Sequence, residues 1–441
     1  MSRWSVEFGG EALGMPLAGP GWSEISTDTR TLGRGALFVA LTGERFDGHE
    51  HLTAAVTRGA SAAVVRRGTV PVSGLALIEV DDTLRAYGAL ARARRREIAG
   101  PVIAITGSNG KTSTKEMVAA VLSTRYRVHA TAQNLNNLVG IPQTILGAPE
   151  DTEALVIEAG ASEPGELARA QEIIEPTAVI ITNVAASHLD GFGSVDGILR
   201  EKLSLADGVA LAVVGSEPPA LGEGAARLAD RVIVVPPPAA TVDAEGRATF
   251  TIDGRAIALP VRGPHQAHNA LLAWMMGKEL GLSPDRMATA LGRVTLPGGR
   301  GELLGQGGLT ILNDSYNANP ASFFAAIATA RAMRSGRRLV FVAGTMKELG
   351  ADSPRYHREV AAALVALDPE LLAVVGDFVP ALEPHRARMG ERLLTAPDAP
   401  ALGPLLKDRL RGDELVVLKA SRGAALERIL PYLGVTPTAS H

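Results

Sequence analysis

About a quarter of the way along the chain, an apolar run passes into a glycine-rich turn and then into Lys-Thr at the start of a helical pattern. The segment reads Val102-Ile-Ala-Ile-Thr-Gly-Ser-Asn-Gly-Lys-Thr-Ser113. Backbone N–H groups of such a turn, together with the N-terminus of the helix, form a binding site for phosphate. We expect the Lys111 ammonium to neutralise β- and γ-phosphate charge and the Thr112 hydroxyl to ligate Mg²⁺. The segment therefore predicts a buried parallel strand with a nucleotide phosphate site at its end.

The spacing of the two glycines departs from the generic phosphate-loop pattern, in which four residues separate them. Only a serine and an asparagine stand between Gly107 and Gly110. The generic pattern would need a glycine where Ile105 stands. A plain strand-to-helix turn is the alternative interpretation, but the order of strand, loop, lysine and helix favours the binding of ATP phosphates.

Short β-branched runs alternate with longer amphipathic stretches over nearly the whole chain, which predicts an α/β fold with parallel sheets. At roughly 100–200 residues per domain, 441 residues correspond to two to four domains, with three as the central expectation. Boundaries are expected near the basic stretch Arg92–Arg96 and in the glycine-dense segment Leu296–Gly301. The predicted domains are residues 1–98, 99–298 and 299–441. The elements that bear on function are the strands Val102–Thr106, Ala154–Glu158 and Ala178–Thr182 and the helices Lys111–Arg125, Val195–Ala206, Pro320–Met333 and Ala424–Leu433.

Composition excludes several classes of function. The chain has no cysteine, which excludes disulfide scaffolds, cysteine-ligated zinc and thiol catalysis. Its net charge of −3 supplies no basic field for nucleic acid or anionic lipid. No apolar run approaches the roughly 18 residues of a membrane span, and the N-terminus does not resemble a signal peptide. We therefore expect a cytoplasmic protein with no nucleic-acid or membrane partner.

Two predicted strands lead to residues that can bind a metal ion. Glu158 ends a buried apolar run, where a carboxylate is costly unless it is paired or holds a cation. His188 follows the next strand, and Lys202 comes later in a predicted helix. Because ligand sites in parallel sheets lie at the carboxyl ends of the strands, we expect Glu158 and His188 to converge near the phosphate loop. Each residue alone has a structural explanation, but their shared placement favours a catalytic group.

A polar segment, Leu312–Pro320, follows another apolar strand and precedes a helix. On one interpretation, its side chains have a structural role alone and form a turn and a helix cap. At the carboxyl end of a strand they also suit a ribose and a polar substrate. The residues alone thus indicate ATP-dependent chemistry at a domain junction, with the substrate undetermined.

Taken together, these residues resemble the Mur ligase family, and within it the members that add D-alanyl-D-alanine to UDP-N-acetylmuramoyl-tripeptide. The Thr106–Thr112 loop is similar to the family's shortened phosphate loop. Two N-terminal segments, Ser26–Arg30 and Leu37–His49, resemble the family's uridine-binding domain. The further matching segments follow in the family's order and are Asn134–Pro142, Glu158, Asn183–His188, Lys202, Gly299-Arg300 and Asp314–Pro320.

The resemblance implies three α/β domains: a small N-terminal domain for the UDP-substrate, a central P-loop ATPase-like domain, and a C-terminal Rossmann-like domain for the dipeptide. It implies an ATP-dependent amide ligase of peptidoglycan precursor synthesis. That enzyme joins D-alanyl-D-alanine to UDP-N-acetylmuramoyl-tripeptide through an acyl phosphate and releases ADP and phosphate. ATP and Mg²⁺ are the implied cofactors, and we expect a monomer.

The same resemblance implies a role for each matching residue. The catalytic set is Lys111, Asn137, Glu158, His188 and Lys202, with Asn137 orienting the acyl phosphate. The ATP-binding set is Gly107, Ser108, Asn109, Gly110, Lys111, Thr112, Ser113, His265, Asn269, Arg300 and Asp314, with Arg300 on phosphate and Asp314 on ribose. The UDP-substrate set is Ser26, Thr27, Asp28, Arg30, Thr42, Gly43, Asp47, Gly48 and His49, and the dipeptide set is Tyr316, Asn317 and Asn319. The implied metal ligands are Thr112, Glu158, His188 and Lys202, the last as a carbamate.

One position departs from the family: Gln266 stands where relatives usually have an asparagine that contacts nucleotide. We expect the longer amide to keep that contact in a shifted geometry. The C-terminal Lys419 and Arg422 are interpreted either as part of the same cleft or as plain surface charges.

Three alternative functions are compatible with parts of the sequence: another amino-acid-adding Mur ligase such as the third-residue enzyme, a folylpolyglutamate-synthetase-like ligase, and a non-catalytic nucleotide-binding homologue. The residues that follow Asp314 disfavour the first, and the uridine-type N-terminal segments disfavour the second. The joint presence of Glu158, His188 and Lys202 disfavours the third.

Overall fold

A computed structural model describes residues 4–44 and 46–435 of the chain. Within this part, one four-stranded sheet and two six-stranded sheets alternate with helices, which confirms the α/β prediction. None of the helices in the described ranges has the length and apolar character that crossing a bilayer requires.

The N-terminal sheet is parallel, and its side chains Phe38 and Val65 belong to a buried apolar cluster that also contains Leu52. A two-stranded antiparallel hairpin, Thr42–Gly43 with Phe46–Asp47, follows the second strand. The strands of the sheet, in spatial order, are Ile25–Ser26, Leu37–Val39, Ala62–Arg66 and Ala76–Val80, and the helices of this region are Val6–Leu13, Leu52–Arg58 and Thr83–Arg96.

The second sheet carries the glycine-rich turn at the end of its strand Val102–Thr106. In spatial order its strands are Val232–Val235, Leu211–Gly215, Ala178–Ile181, Val102–Thr106, Ala154–Glu158 and Val128–Ala130. The associated helices are Lys111–Leu122, Gly140–Leu146, Glu166–Ile174, Leu189–Phe192, Val195–Ser204, Pro219–Ala225, His265–Glu279 and Pro284–Leu291. The first of these ends three residues before the predicted Arg125, because the hydroxyls of Ser123 and Thr124 donate to carbonyl oxygens of the last turn.

A three-stranded antiparallel sheet was not predicted. Its strands are Ala240–Val242, Arg247–Ile252 and Arg255–Arg262. Residues Arg247–Ile252 alternate between exposed and buried side chains, which is the period-2 signal of a half-buried strand and could have been read from the sequence.

The C-terminal sheet places Leu415–Lys419, the last strand of the described residues, between Leu309–Asp314 and Leu339–Ala343. The pair Glu302–Gln306 with Leu309–Asp314 is antiparallel, and the other pairs are parallel. The remaining strands are Leu371–Val375 and Leu393–Ala396, and the helices are Pro320–Met333, Ser353–Ala366, Phe378–Ala381, Arg386–Met389 and Ala399–Lys407.

The predicted α-helix Ala424–Leu433 is wrong. The structure has a 3-10 turn at Arg422–Ala424 and a 3-10 segment over Leu426–Leu433. Ala425, between them, has a left-handed backbone with φ of 50°, and Pro431 lacks the N–H that an α-helix would need.

Compactness divides the chain into two units. One contains the described residues up to Ala104 with Tyr126–Ala161 and Gly165–Thr177. The other contains Ile105–Arg125, Ser162–Pro164 and the described residues from Ala178 onward. The three-domain boundaries stay a prediction.

Ion pairs within the first unit account for the basic stretch Arg92–Arg96. Arg92 and Arg96 both pair with Glu175, which lowers the pKa of that carboxyl to about 2, and Arg94 is buried with Glu97 as its partner. These arginines therefore stabilise helix packing.

Candidate active site

The glycine-rich turn is held by the chain that follows the neighbouring strand Ala178–Ile181. The Ser108 N–H donates to the Asn183 carbonyl at 2.9 Å, and the Asn109 N–H donates to Asn183 Oδ1 at 3.1 Å. Thr182 Oγ1 donates to the Asn109 carbonyl at 2.5 Å. The turn is thus fixed in place, because its backbone is hydrogen-bonded to Thr182 and Asn183.

The Ser108 side chain shapes the loop. Its hydroxyl donates to the Ala185 carbonyl and accepts from the Ala185 N–H, both at 2.9 Å. The Ser187 hydroxyl lies 3.1 Å from the same oxygen. This network connects the phosphate loop to the residue that precedes His188.

Both glycines of the loop are required by the space around them. A Cβ on Gly107, where φ is +147°, would lie 1.8 Å from Thr182 Oγ1. A Cβ on Gly110, where φ is +80°, would lie 2.5 Å from Asn269 Oδ1. Because no L side chain fits, the bare backbone is available to approach a phosphate group.

Lys111 begins the helix Lys111–Leu122, and its Nζ donates to the Gly107 carbonyl at 2.7 Å. Thr112 and Ser113 follow in the first turn, and both are buried. The loop therefore combines a helix N-terminus and an ammonium group, the two features that bind phosphate.

The helix His265–Glu279 borders the loop through Asn269, which lies against Gly110. Gln266 Oε1 accepts a hydrogen bond from Asn269 Nδ2 at 2.9 Å, and both amides are buried. Gln266 therefore orients Asn269 in this structure. The His265 side chain is open to solvent, yet the surrounding protein lowers the pKa of its imidazole. The Asp314 carboxylate opposes this lowering of the pKa, and the Lys419 ammonium adds to it.

Lys419 is buried, which excludes its interpretation as a surface charge. Its Nζ donates to Asp314 Oδ2 at 2.7 Å and to the Asn317 carbonyl at 2.9 Å. Asp314 ends its strand, and the lysine thus fixes both the carboxylate and the turn that follows. Sequence reasoning left Lys419 undecided; its position on an apolar strand was the signal for burial.

Tyr316 stacks between two cationic side chains. The Arg300 guanidinium lies 4.0 Å from the ring centroid and that of the exposed Arg422 lies 5.6 Å from it. The Asn317 carboxamide oxygen accepts from the Ala318 N–H, and Asn319 caps the helix Pro320–Met333. Part of the predicted dipeptide set thus also has a structural role.

Lys202 is 2% exposed and lies inside the helix Val195–Ser204. Burial lowers the pKa of its amine to about 7, and the positive charge of Lys111 contributes in the same direction, against Glu201. The second unit therefore brings Lys202 within electrostatic reach of the phosphate loop.

His188 has a left-handed backbone with φ of 50°, and its Nδ1 lies 2.5 Å from Glu348 Oε2.

Glu158, in the first unit, ends the strand Ala154–Glu158 and is 2% exposed. Its Oε1 accepts from Asn136 Nδ2 at 2.8 Å, and within the described residues its Oε2 has no hydrogen-bond partner. The Oδ1 of the neighbouring Asn137 instead accepts from the N–H groups of Val139 and Gly140, where the helix Gly140–Leu146 begins. Asn136 is a residue that sequence reasoning missed, although it stands in the same asparagine-rich segment.

The N-terminal residues predicted to bind the UDP-substrate form two groups. In the first, Asp28 pairs with Arg30, whose hydrogen bonds lower the pKa of Asp28 to about 2. In the second, Asp47 accepts from the His49 N–H and the Thr42 hydroxyl and lies 2.5 Å from His49 Nδ1. The Arg66 N–H reaches the other ring nitrogen of His49 at 2.9 Å, so this imidazole holds the hairpin in place. Ser26 lies beside Asp28, and Thr27, Gly43 and Gly48 lie within the same two segments.

The residues that could hold Mg²⁺ fit a loosely ligated ion. In the first unit the buried, unpartnered Glu158 Oε2 is an oxygen ligand of the required type. In the second unit Thr112 places a hydroxyl at the start of the helix. In the described ranges no group of three or more histidine or carboxylate side chains is close enough to enclose a metal. Each unit by itself offers few such ligands, so an ion bound there would be held largely by phosphate and water.

Comparison with known proteins accounts for nearly the whole chain. Three sequence profiles match it: "Mur ligase family, catalytic domain" at residues 22–139, "Mur ligase middle domain" at 105–277, and "Mur ligase, glutamate ligase domain" at 299–422. The UDP-N-acetylmuramoyl-tripeptide–D-alanyl-D-alanine ligase of Bacillus subtilis is 34% identical over 94% of this chain and 93% of its own length.

Solved structures agree in fold. MurF from Acinetobacter baumannii superposes with a TM-score of 0.89 at 28% identity, over 98% of each chain. MurF ligase from Thermotoga maritima in complex with ADP gives 0.81 at 26% identity, over 93% of this chain and 96% of that one.

Proposed function

Because the chain belongs to the Mur ligase family, we propose that it joins D-alanyl-D-alanine to UDP-N-acetylmuramoyl-tripeptide in peptidoglycan precursor synthesis. The supporting observation is the phosphate loop, whose glycines admit no side chain and whose backbone is clamped to Asn183. This loop occurs in a chain that matches ligases of that activity along nearly its whole length. The enzyme is an ATP-dependent ligase that forms a C–N bond.

The chemistry requires activation of an acid. A carboxylate and an amine do not condense at neutral pH, because the carboxylate is a poor electrophile. ATP therefore transfers its γ-phosphoryl group to the terminal carboxylate of the tripeptide, which gives an acyl phosphate and ADP. The amine of D-alanyl-D-alanine attacks the acyl carbon, and inorganic phosphate leaves as the amide forms.

Lys111 and the amides of residues 107–112 stabilise the negative charge on the γ-phosphoryl group during transfer. Their positions are fixed before the substrate binds, since the loop is held by Thr182 and Asn183. Proposed partners of the rest of the nucleotide are His265, Asn269, Arg300 and Asp314, with Lys419 holding the last of these in place. Asn137 is proposed to orient the acyl phosphate.

A magnesium ion is part of the proposal. Its ligands would be Thr112, Glu158, His188 and Lys202, and when bound it would reduce the repulsion between γ-phosphate and the acceptor carboxylate. An ammonium on Lys202 would repel the ion. Because burial lowers the pKa of Lys202 to about 7, a large share of the amine is neutral at physiological pH, and the neutral amine is the form that adds CO₂. We include a carbamate on Lys202 in the proposal for this reason.

The proposed places of the other substrates follow the same division of the chain. Residues 1–98 bind the UDP part, with the Asp28 and Asp47 groups described above as contacts. Residues 299–441 present Tyr316, Asn317 and Asn319 to the dipeptide. We further propose that the enzyme acts as a monomer in the cytoplasm, where ATP and UDP-linked precursors are available.

The test is product analysis with the purified full chain. ADP and phosphate release should require ATP, Mg²⁺, the UDP-muramoyl-tripeptide and D-alanyl-D-alanine together, and mass spectrometry should show the UDP-muramoyl-pentapeptide. Release that instead depends on a UDP-muramoyl-dipeptide and a free diamino acid would assign the chain to the third-residue enzymes. No release with any acceptor would mark a non-catalytic homologue.

A further inference from the structure

Glu348 contacts His188 with both its side chain and its backbone. Glu348 Oε2 lies 2.5 Å from His188 Nδ1, and the Glu348 carbonyl accepts from the Leu189 N–H at 2.8 Å. The two side-chain atoms are in close contact, although the geometry falls short of a well-aligned hydrogen bond. Two segments that are distant in sequence thus meet at the imidazole of a proposed catalytic residue.

Both partners have backbones that L-residues rarely adopt. The φ angle is 50° at His188 and 66° at Glu348, and neither residue is a glycine. Left-handed backbone at a non-glycine residue is energetically unfavourable and is concentrated at functional sites. Two such residues in mutual contact indicate that this pairing is retained despite that cost.

The loop that carries Glu348 is pinned on its other side. The Met346 N–H donates to His357 Nε2 at 3.0 Å, and the Lys347 N–H donates to Ser421 Oγ at 3.0 Å. His357 is fully buried, and its Nδ1 lies 2.8 Å from the Ser353 carbonyl. These contacts fix the backbone immediately before Glu348.

We propose that Glu348 is a positioning residue that fixes the tautomer of His188, an inference that rests on the proposed function. At 2.5 Å from a carboxylate oxygen, an unprotonated Nδ1 would set one lone pair against another, so Nδ1 carries the proton. Nε2 is then left with its lone pair and can act as a ligand or proton acceptor. A carboxylate behind a histidine is a common arrangement for this purpose.

The direct test is ¹⁵N NMR of the full chain labelled at histidine, with H188Q used to identify the His188 signals among the nine histidines. In the wild type, Nδ1 should be protonated and Nε2 unprotonated. E348A should shift His188 toward the Nε2–H form that free imidazole side chains favour. E348Q should retain the wild-type tautomer, since its amide oxygen can still accept from Nδ1–H.

Turnover provides a second, independent measurement. E348A should raise the Mg²⁺ concentration for half-maximal activity about 10- to 100-fold, with E348Q in between and the KM for D-alanyl-D-alanine unchanged. D352N is the control, because Asp352 lies in the same region and pairs only at the surface with Arg355. The control should match the wild type.

Two results would overturn the assignment: an Nε2–H tautomer of His188 in the wild type, or the same tautomer and Mg²⁺ dependence in E348A as in the wild type. If E348A acted only by lowering thermal stability, retention of the wild-type tautomer in E348Q would have no explanation. Absence of ligase turnover in the wild type would contradict the proposed function, while the NMR experiment would still decide the role of Glu348.

Discussion

The Lys111 ammonium donates a hydrogen bond to the Gly107 carbonyl oxygen at 2.7 Å, so that the side chain spans the phosphate loop. Lys111→Met removes the charge that we expect to stabilise the transferring phosphoryl group. We expect kcat for ADP release to fall about 100- to 1,000-fold. The exposed Lys407→Met is the matched control and should leave kcat unchanged. A Lys111 variant that turns over at the wild-type rate would contradict the proposed role of the loop.

Gly107→Ala tests whether space at the loop is as limited as the geometry indicates. The new Cβ would meet Thr182 Oγ1 at 1.8 Å, so the loop must rearrange. Gly208→Ala is the control, because Gly208 also has a positive φ but nothing within 4 Å. The control should cost about 1 kcal/mol of unfolding free energy, and Gly107→Ala should cost more and abolish binding of ATP. Denaturant titration and calorimetry measure the two effects; equal behaviour of the variants would refute the steric argument.

Lys202 makes stability depend on pH. The pKa of Lys202 in the folded protein is about 7, well below its ordinary value. Between pH 10 and 7 the amine is therefore protonated in the unfolded chain but largely neutral in the folded one, which destabilises the folded state. Lys202→Met removes this destabilisation. In CO₂-free buffer we expect it to stabilise the protein at pH 7 by on the order of 3–5 kcal/mol, with the gain shrinking as pH rises toward 10. An equal effect of the substitution at both pH values would disprove the linkage.

Lys202→Ala tests the proposed carbamate through chemical rescue. The variant loses the anionic oxygen ligand, so turnover should fall by at least about 100-fold. Added acetate or propionate, which can occupy the vacated space, should restore part of it. Lys111→Met, which lacks such a space, should show no response to the same acids. If Lys202→Ala stays inactive at every carboxylate concentration, the carbamate loses its support.

Much of the fold could be predicted because local signals agree with the tertiary structure. The strands Val102–Thr106 and Ala154–Glu158 and the helix Pro320–Met333 have the predicted bounds, since each is an uninterrupted apolar or amphipathic run between polar turns. The 3-10 segment Leu426–Leu433 was mistaken for an α-helix because its apolar spacing is helical, while Pro431 and the backbone of Ala425 prevent α-helical hydrogen bonding.

The contacts that position the site were less accessible to sequence reasoning. The pairs Lys419 with Asp314 and Glu348 with His188 join residues more than 100 positions apart, and no local pattern encodes such a pairing. Charged residues next to apolar runs are ambiguous between surface and interior until the order of the strands is known. In the C-terminal sheet that order places Lys419 on an interior strand.

The strand Leu415–Lys419 lies in the middle of the C-terminal sheet, although it is synthesised after the other five strands of that sheet. Two strands that are synthesised earlier, Leu309–Asp314 and Leu339–Ala343, each pair with Leu415–Lys419 along its length. They lack this partner until Leu415–Lys419 has been synthesised. The C-terminal sheet therefore cannot form in full until Leu415–Lys419 has left the ribosome. A nascent chain cut before Leu415 should expose two unpaired strand edges and be prone to aggregation.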